Sequence, residues 1–269
     1  MIEQLNIYGK TKVETAIERL RTFEPPEGYF LAFSGGKDSV VIKALADMAG
    51  VKYDAHYQIT SVDPPELVHF IKTFNDVQMD RQHYKDGTPI TMWNLIPKKK
   101  MPPTRVARFC CEKLKETAGE GRFKITGVRK AESAQRSGRA GLETGKNKST
   151  RKREMHDPDN PDRELIHICQ VHAQRILNPI IEWSDEEVWE FIKKYNIKYC
   201  KLYDEGFKRL GCIGCPMAGD KRIKEFERYP KFKAAYTRAF ERMIEERKKA
   251  GKECEWETGE EVMAWWLER

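Results

Sequence analysis

The sequence predicts an α/β protein with a parallel sheet covered by helices on its faces. Two observations carry this prediction. The apolar run "YFLA" is followed by a glycine-rich loop and then by a helix-type segment, "VVIKALADMAG". Further strand-like runs, "YDAHYQIT" and "FKITGVRK", alternate with helical segments along the chain. Alternating strands and helices are typical of a parallel sheet whose crossovers are helices.

The helical segments have recognisable starts. "TKVETAIERLRTF" has the apolar spacing of an amphipathic helix, and "SVDPPELVHFIKTF" predicts a helix that opens at its prolines. In "NPIIEWSDEEVWEFI", Ser184 and Glu187 form the pattern of a capping box. Residues 220–250 predict one or two long charged helices, and "TGEEVMAWWLER" predicts a short helix docked by Trp265 and Trp266.

These patterns suggest three parts. The first is an N-terminal helix over residues 1–25, and the second is the α/β domain over residues 26–218. The third is a C-terminal helical extension over residues 219–269. Within the domain, residues from about 139 to 163 are polar, basic in their first half, and rich in Gly, Pro and Asn. This composition predicts a mobile loop.

Composition sets broader limits. The chain has 269 residues, 39% hydrophobic, enough for a substantial core, and a net charge of +7 that permits an acidic partner. No apolar run reaches membrane-spanning length, and the first ten residues lack the apolar core of a signal peptide. We therefore expect a cytoplasmic protein with no membrane partner. The oligomeric state is open, and a homodimer is one option.

The loop "SGGKDS", residues 34–39, predicts an anion site. Gly35 and Gly36 allow a sharp turn and bring backbone N–H groups close to a ligand. The following helix adds unpaired amides and the positive end of its dipole. Lys37 contributes a charge, and Ser34 and Ser39 contribute hydroxyls. The spacing matches neither the Walker P-loop nor the G-x-G-x-x-G fingerprint.

Other loops at the carboxyl ends of strands carry further candidates, because ligands of such sheets bind at that edge. Asp38 could hold Mg²⁺ or cap the helix, and Asp63 in "TSVDPPE" could contact a nucleotide or cap the helix at the prolines. Arg129 and Arg136 in "GVRKAESAQR" could clamp phosphates. The basic runs "PKKKMPPTR" and "KNKSTRKR" are candidates for contact with a nucleic-acid backbone, or they are merely solvated.

The chain has seven cysteines, which in a reducing compartment indicate metal binding or thiol chemistry rather than disulfides. Cys212 and Cys215 form a C-x-x-C pair, typical of zinc, redox or cluster sites. Cys110 and Cys111 are adjacent, an arrangement that suits two irons of a cube better than one zinc, or that marks two buried thiols. Cys254 is a candidate reactive thiol.

Several of these motifs together resemble one family. "SGGKDS" resembles the PP-loop of the ATP pyrophosphatases, a Rossmann-like superfamily. "TGVRKAES", "NPIIEWSDEEVWEFI", "KLYDEGFKRLGCIGCP" and the four cysteines resemble its phosphoadenosine phosphosulfate (PAPS) reductase branch. The resemblance implies an adenine-nucleotide site at the loop, with ATP-Mg²⁺ as ligand. It also implies a [4Fe–4S] cluster on Cys110, Cys111, Cys212 and Cys215, with zinc as the alternative metal.

Two departures separate the chain from the sulfonucleotide reductases that it resembles. Those enzymes usually carry an altered PP-loop, whereas "SGGKDS" is intact here. They also end in Glu-Cys-Gly-(Ile/Leu)-His, whereas Cys254 lies in "KECEWETG". The intact loop with cluster cysteines resembles the ATP pyrophosphatases of DNA phosphorothioation.

This second resemblance implies an enzyme that adenylylates an acceptor, with a nucleic acid as the candidate. Lys37 and Asp38 would serve catalysis, and a cysteine desulfurase would be the partner that supplies sulfur. One alternative is a sulfonucleotide reductase that uses Cys254 to release sulfite. A second alternative is a non-catalytic subunit that binds nucleotide or nucleic acid.

Overall fold

The computed structural model describes residues 1–6, 9–144, 152–154 and 175–268. For Ala134, Gln135, Thr144 and residues 152–154 it describes the backbone only. The helices are α1 (Lys12–Thr22), α2 (Lys37–Ala49), α3 (Pro65–Ile71), α4 (Met92–Lys99), α5 (Phe109–Cys111), α6 (Ala134–Ser137), α7 (Asp185–Lys194), α8 (Lys221–Arg228), α9 (Pro230–Lys249) and α10 (Gly259–Glu268). The strands are β1 (Tyr29–Ala32), β2 (Tyr53–Gln58), β3 (Val77–Asp80), β4 (Lys124–Ile125), β5 (Leu142–Thr144), β6 (Lys152–Glu154) and β7 (Arg175–Leu177).

The chain forms two compact units that each draw on distant segments. Unit 1 consists of residues 1–57, 69–78 and 119–209, and unit 2 of residues 58–68, 79–118 and 210–269. The predicted boundaries at 25 and 218 thus differ from this division, since residues 219–269 share unit 2 with two earlier segments. The three-part organisation remains a prediction about sequence segments.

The sheet has the strand order β3-β2-β1-β4-β7-β5-β6. Strand β1 pairs in parallel with β2 and β4, and β4 pairs in parallel with β7. The added strand β5 is antiparallel to both β7 and β6. The predicted parallel sheet flanked by helices is confirmed, with an antiparallel hairpin at one edge.

That hairpin lies within the segment predicted to be a mobile loop. Residues 142–144 and 152–154 are strands β5 and β6, because their backbones extend the sheet beyond β7. The remainder of the segment, residues 145–151 and 155–163, lies outside the described residues. The basic run "KNKSTRKR" belongs largely to that part.

Capping residues start the helices of unit 1. Helix α1 begins with a capping box of Thr11 and Glu14. The predicted box of Ser184 and Glu187 is confirmed at the start of α7. These side chains satisfy amides that have no partner within the helix, at about 1 kcal/mol for each cap.

Unit 2 is built around one hydrophobic cluster of α4, α9 and α10. Trp266 is buried in it and donates its indole N–H to the Pro103 carbonyl at 2.5 Å, while Trp265 is half-buried. The predicted docking of the last helix by these tryptophans is confirmed. Among the helices that the structure describes, none combines the length and apolar character needed to cross a bilayer.

Candidate functional site

The loop between β1 and α2 presents unpaired backbone amides. Gly35 has φ of +72°, a left-handed conformation that glycine adopts at little cost, and Gly36 is the N-cap of α2. The Ser39 hydroxyl donates to the Gly36 carbonyl at 2.8 Å, which closes the turn. Within the described residues, the N–H groups of Gly35, Gly36 and Asp38 donate to no acceptor. The loop therefore offers several donors to an anion.

Four charged side chains form a network beside these amides. The Lys37 ammonium lies 3.1 Å from the Asp38 carboxylate and 3.3 Å from Asp185 at the start of α7. Arg129, from the loop after β4, donates Nε to Asp38 at 2.6 Å and also pairs with Asp185. Arg129 is 1% exposed and Lys37 6%, so two buried cations share two carboxylates.

The network keeps its members charged. Burial lowers the pKa of Arg129, but Asp38 and Asp185 outweigh it and hold that pKa above its ordinary value. Burial raises the pKa of Asp185, but Arg129 and Lys37 lower it by more, so that pKa lies below its ordinary value. Such pairs are stable because each carboxylate receives hydrogen bonds as well as charge.

Two close contacts position the loop. A Cβ on Gly127 would lie 3.0 Å from the backbone carbon and Cβ of Asp38, so the absence of a side chain lets these segments meet. The Tyr203 hydroxyl accepts the Lys37 N–H at 2.9 Å. Burial raises the pKa of Tyr203, so its hydroxyl stays protonated and retains a proton to donate. Tyr203 thus lies directly at the loop of residues 34–39.

The structure brings together part of the predicted nucleotide set. Ser34, Gly35, Gly36, Lys37, Asp38 and Ser39 lie on the loop, and Arg129 joins them through Asp38. Arg136 instead pairs with Glu132, whose other oxygen accepts the Arg129 backbone N–H at 3.1 Å. Arg129 and Arg136 therefore both have protein carboxylate partners.

Asp63 belongs to unit 2. Its carboxylate is buried and accepts the Thr60 hydroxyl at 2.6 Å. Its negative charge also contributes, after larger effects, to raising the pKa values of Lys115 and Cys212. The structure therefore places Asp63 near a cysteine that was predicted as a metal ligand.

The four predicted cluster cysteines converge in unit 2. Cys110 and Cys111 lie on α5, which continues as a π-helical turn over Glu112–Glu116. Cys212 and Cys215 lie in the loop before α8, and the Cys215 N–H donates to the Cys212 carbonyl at 3.3 Å. All four line one cavity of about 20 Å³, together with Thr60, Met92, Pro103, Leu114, Lys115, Pro216 and Tyr236.

Two cations, Arg108 and Lys115, lie near these thiols, as does the Asp63 carboxylate. Arg108 donates to the Cys111 sulfur at 3.5 Å. The hydrogen bond from Cys110, followed by that from Arg108, lowers the pKa of Cys111, and the same thiol–thiol bond raises the pKa of Cys110. Cys212 raises the pKa of Lys115 against the effect of desolvation. Arg108 and Lys115 can therefore offset part of the negative charge that thiolates would bring to this cavity.

The donor set fits an iron–sulfur cluster by its chemistry. Four thiols from two segments line one cavity, and Arg108 and Lys115 would offset the negative charge of a thiolate-bound cluster. Within the residues that the structure describes, no three His, Cys, Asp or Glu side chains are arranged to hold a single metal ion. The cluster and its zinc alternative both remain predictions.

The remaining cysteines have different environments. Cys254 is half-buried and packs against the hydrophobic cluster of unit 2, as do Trp256 and Trp265. Cys200 is buried in unit 1, just before Tyr203. Cys169 lies outside the described residues.

Sequence reasoning missed Asp185 and Tyr203 at the loop, and Lys115 and Arg108 at the cysteines. Asp185 follows the predicted N-cap Ser184, so its place at a helix start was visible, but its contact with Lys37 was not. Arg108 and Lys115 flank the Cys110–Cys111 pair, and this basic flanking was the only signal available.

Comparisons with known proteins identify relatives of this chain and the family to which it belongs. An uncharacterized protein of Methanocaldococcus jannaschii is 29% identical over 218 residues, which are 75% of this chain and 39% of that protein. The chain thus spans about two fifths of that relative's length. The adenosine 5′-phosphosulfate reductase of Staphylococcus haemolyticus is 43% identical over 37 residues, 14% of this chain and 15% of that enzyme.

Among solved structures, the PAPS reductase of Candida auris matches 78% of this chain and 96% of that chain, at 14% identity and a TM-score of 0.47. The model of the phosphoadenosine phosphosulfate reductase domain matches residues 28–218, which include the loop, Arg129, Asp185 and all four converging cysteines. This match extends over well more than half of the sequence. The chain therefore belongs to the phosphoadenosine phosphosulfate reductase domain family.

Proposed function

We propose that this protein is an ATP pyrophosphatase that adenylylates an acceptor and so prepares it for sulfur insertion. The observation that carries the proposal is the intact loop of residues 34–39, with unpaired amides at Gly35, Gly36 and Asp38. Unpaired amides at a helix N-terminus suit the phosphates of ATP. Relatives named as an adenosine 5′-phosphosulfate reductase and a probable FAD synthase support an adenine-containing ligand.

In the proposed reaction an oxygen of the acceptor attacks the α-phosphorus of ATP. The bond from that phosphorus to the bridging oxygen breaks, and pyrophosphate leaves with the electron pair. The loop amides and Lys37 would stabilise the developing charge, since preorganised donors act at the leaving group. Any proton on the acceptor oxygen passes to water or a nearby carboxylate.

The charged network indicates how Lys37 would reach the phosphates. Its ammonium is shared between Asp38 and Asp185, and Arg129 holds both carboxylates in place. Asp38 and Asp185 supply the oxygen ligands that Mg²⁺ prefers, and they would hold the ATP-bound ion. Phosphate oxygens would then replace the carboxylates as partners of Lys37.

Sulfur insertion would follow the adenylylation. The terminal sulfur of a persulfide attacks the activated acceptor atom, and AMP leaves with the acceptor oxygen and its electron pair. An external dithiol then cleaves the S–S bond, which leaves reduced sulfur on the acceptor and converts the dithiol to a disulfide. A cysteine desulfurase is the candidate donor, and a DNA backbone is the candidate acceptor. Cys110, Cys111, Cys212 and Cys215 would hold a [4Fe–4S] cluster, which when bound supplies one-electron transfer or a structural link between the two segments.

A second candidate is a sulfonucleotide reductase, favoured by the relatives named adenosine 5′-phosphosulfate reductase. Cys254 would attack the sulfur of the sulfonucleotide, AMP would leave with the bridging oxygen, and an external dithiol would release sulfite. Cys254 shares unit 2 with the four converging thiols. It is half-buried rather than placed on an exposed tail.

The decisive experiment offers three nucleotides to anaerobically purified protein of known iron content: ATP-Mg²⁺, adenylylsulfate and PAPS. Pyrophosphate, AMP and sulfite are measured with and without DNA or RNA. We expect ATP-dependent pyrophosphate release, stimulated by the acceptor and reduced at least about 100-fold in Lys37→Ala. Lys52→Ala, which changes an exposed lysine, is the matched control.

Each contrary outcome has a meaning. Pyrophosphate release that is unchanged in Lys37→Ala contradicts the proposal. Sulfite release that is lost in Cys254→Ser supports the reductase. No turnover with any nucleotide favours a non-catalytic binding subunit.

A further inference from the structure

An open groove in unit 2 lies apart from the residues used above. It has a volume of about 540 Å³ and is lined by Trp93 of α4 and by Ala235, Arg238, Glu241 and Arg242 of α9. Small-molecule sites usually enclose most of their ligand, whereas this groove is largely open to solvent. It therefore suits a ligand that extends beyond the groove better than a free nucleotide.

The aromatic wall of the groove is held in place. The Trp93 ring packs edge-on against Tyr236, with 5.1 Å between ring centroids, and is tilted against Phe232 at 6.4 Å. The Arg242 guanidinium donates to the Trp93 carbonyl at 2.7 Å. A ring fixed on one side and half-exposed on the other is a platform on which a planar group can stack.

The charge of the groove is positive and partly unsatisfied. Arg238 and Arg242 are exposed and lie one helical turn apart on α9. Two like charges at this spacing repel each other, which weakens the helix slightly. Within the part of the chain that the structure describes, the Arg238 side chain has no hydrogen-bond or ion-pair partner.

The acidic residue of the groove forms no ion pair with these arginines in the described part of the chain, and the lining carries two positive charges against one negative. Glu241 accepts the Gly259 N–H at 2.6 Å and makes no salt bridge within the described residues. Further basic residues lie on the same two helices: Arg247 donates to the Lys100 carbonyl at 2.9 Å, and α4 ends in Lys98 and Lys99. On α9, Glu245 and Glu246 stand between Arg242 and Arg247, so the basic residues concentrated at the groove itself are Arg238 and Arg242.

We infer that this groove binds single-stranded nucleic acid, with a base stacked on Trp93 and neighbouring phosphates on Arg238 and Arg242. Aromatic platforms beside basic residues bind single strands in this way with little sequence preference. The ends of arginine side chains one turn apart can reach successive phosphates of a strand. Binding of the strand is independent of the proposed function. Only the role of the strand as the acceptor rests on that function.

The test measures binding of labelled single-stranded DNA and RNA, and of duplex DNA, by fluorescence anisotropy without ATP. We expect Trp93→Leu to weaken single-strand binding about tenfold, and Trp93→Phe to retain most of the affinity, because a ring can still stack. Arg238→Gln lowers the slope of log affinity against log salt by about 0.7, the value for one lost phosphate contact on a single strand.

Controls separate this inference from general charge and from loss of folding. Lys233→Gln removes an exposed charge from another face of α9 and should change affinity less than about twofold. Poly-glutamate of equal charge should bind at least tenfold more weakly than the strand. Thermal melting of each variant confirms that it is folded, and Arg238→Gln disturbs no described contact.

The outcomes also separate the groove from the proposed activity. Lys37→Ala should bind the strand normally. Equal binding by wild type, Trp93→Leu and Arg238→Gln overturns the groove, even if DNA or RNA stimulates pyrophosphate release. Strand binding that depends on Trp93 and Arg238, without pyrophosphate release, supports the groove as a binding site and contradicts the proposed reaction. Poly-glutamate binding as tight as strand binding also overturns the inference, since charge alone would explain it.

Discussion

The loop of residues 34–39 in unit 1 and the cysteine site of unit 2 are built in opposite ways. In the loop the charged side chains neutralise one another, and the groups left without partners are backbone amides. At the cysteines the side chains themselves, four thiols, converge, and two cations lie near them. The role of the loop can therefore be tested by changing the side chains that hold it in place. The role of the cysteine site must be tested by changing the cysteines themselves.

The largest effect should come from the thiols. We expect Cys212→Ser to lose most of the bound iron, because the substituted hydroxyl is a poor ligand for a cluster held by thiolates. Iron and sulfide analysis of anaerobically purified protein measures this. Cys254→Ser, which changes another half-buried cysteine of unit 2, should keep its iron. Equal iron content in Cys212→Ser and wild type would remove the cluster from this site.

The next largest effect should come from Arg129→Met, which leaves two carboxylates with only Lys37 between them. Removing one partner of a fully buried ion pair costs about 3–5 kcal/mol of unfolding free energy, and we expect less here because the Asp185 side chain is 54% exposed. Urea unfolding of the whole protein measures the loss. Arg21→Met, which removes only a hydrogen bond to the Ala49 carbonyl, should cost about 1 kcal/mol. Similar losses in both variants would show that the network is not strongly coupled.

A smaller effect tests the packing beside the cysteines. Gly214 and Gly87 both have positive φ, at +71° and +82°, so alanine costs about 1–2 kcal/mol at either position. A Cβ at Gly214 would also lie 2.5 Å from the Phe226 ring, whereas Gly87 faces open space. We therefore expect Gly214→Ala to lose a further 1–3 kcal/mol in thermal or urea unfolding. Equal losses would mean that the Phe226 ring moves aside freely.

The smallest effect concerns pH. Burial raises the pKa of Glu187, but Lys12 and the Ser184 N–H outweigh it and lower that pKa to about 2. A lowered pKa in the folded state adds stability above the ordinary value of 4.5, which is lost as pH falls towards 2. We expect about 1–2 kcal/mol at neutral pH, because Lys12 is partly exposed. Glu187→Gln should remove that part of the pH dependence, and an unchanged acid limb would contradict the assignment.

Local patterns predicted much of this architecture. The capping boxes, the strand–loop–helix around "SGGKDS" and the final helix docked by Trp266 all follow from residues close together in sequence. Asp185 and Tyr203 could not be predicted at the loop, because their contacts with Lys37 connect residues more than 140 positions apart. Strands β5 and β6 were missed because each has only three residues and is largely polar, which is too little for apolar alternation to show.

The interleaved segments of unit 2 have a consequence for biosynthesis. Its cysteine pairs stand about a hundred residues apart, and most of the intervening chain belongs to unit 1. A ribosome therefore releases Cys110 and Cys111 several seconds before Cys212 and Cys215, at ordinary rates of about 5–20 residues per second. During that interval the first two thiols have no partners, and the hydrophobic surfaces of α4 await α9. If the proposed metal centre is present, oxidants or chaperones acting in this window, rather than on the finished protein, would determine how much of the protein acquires it.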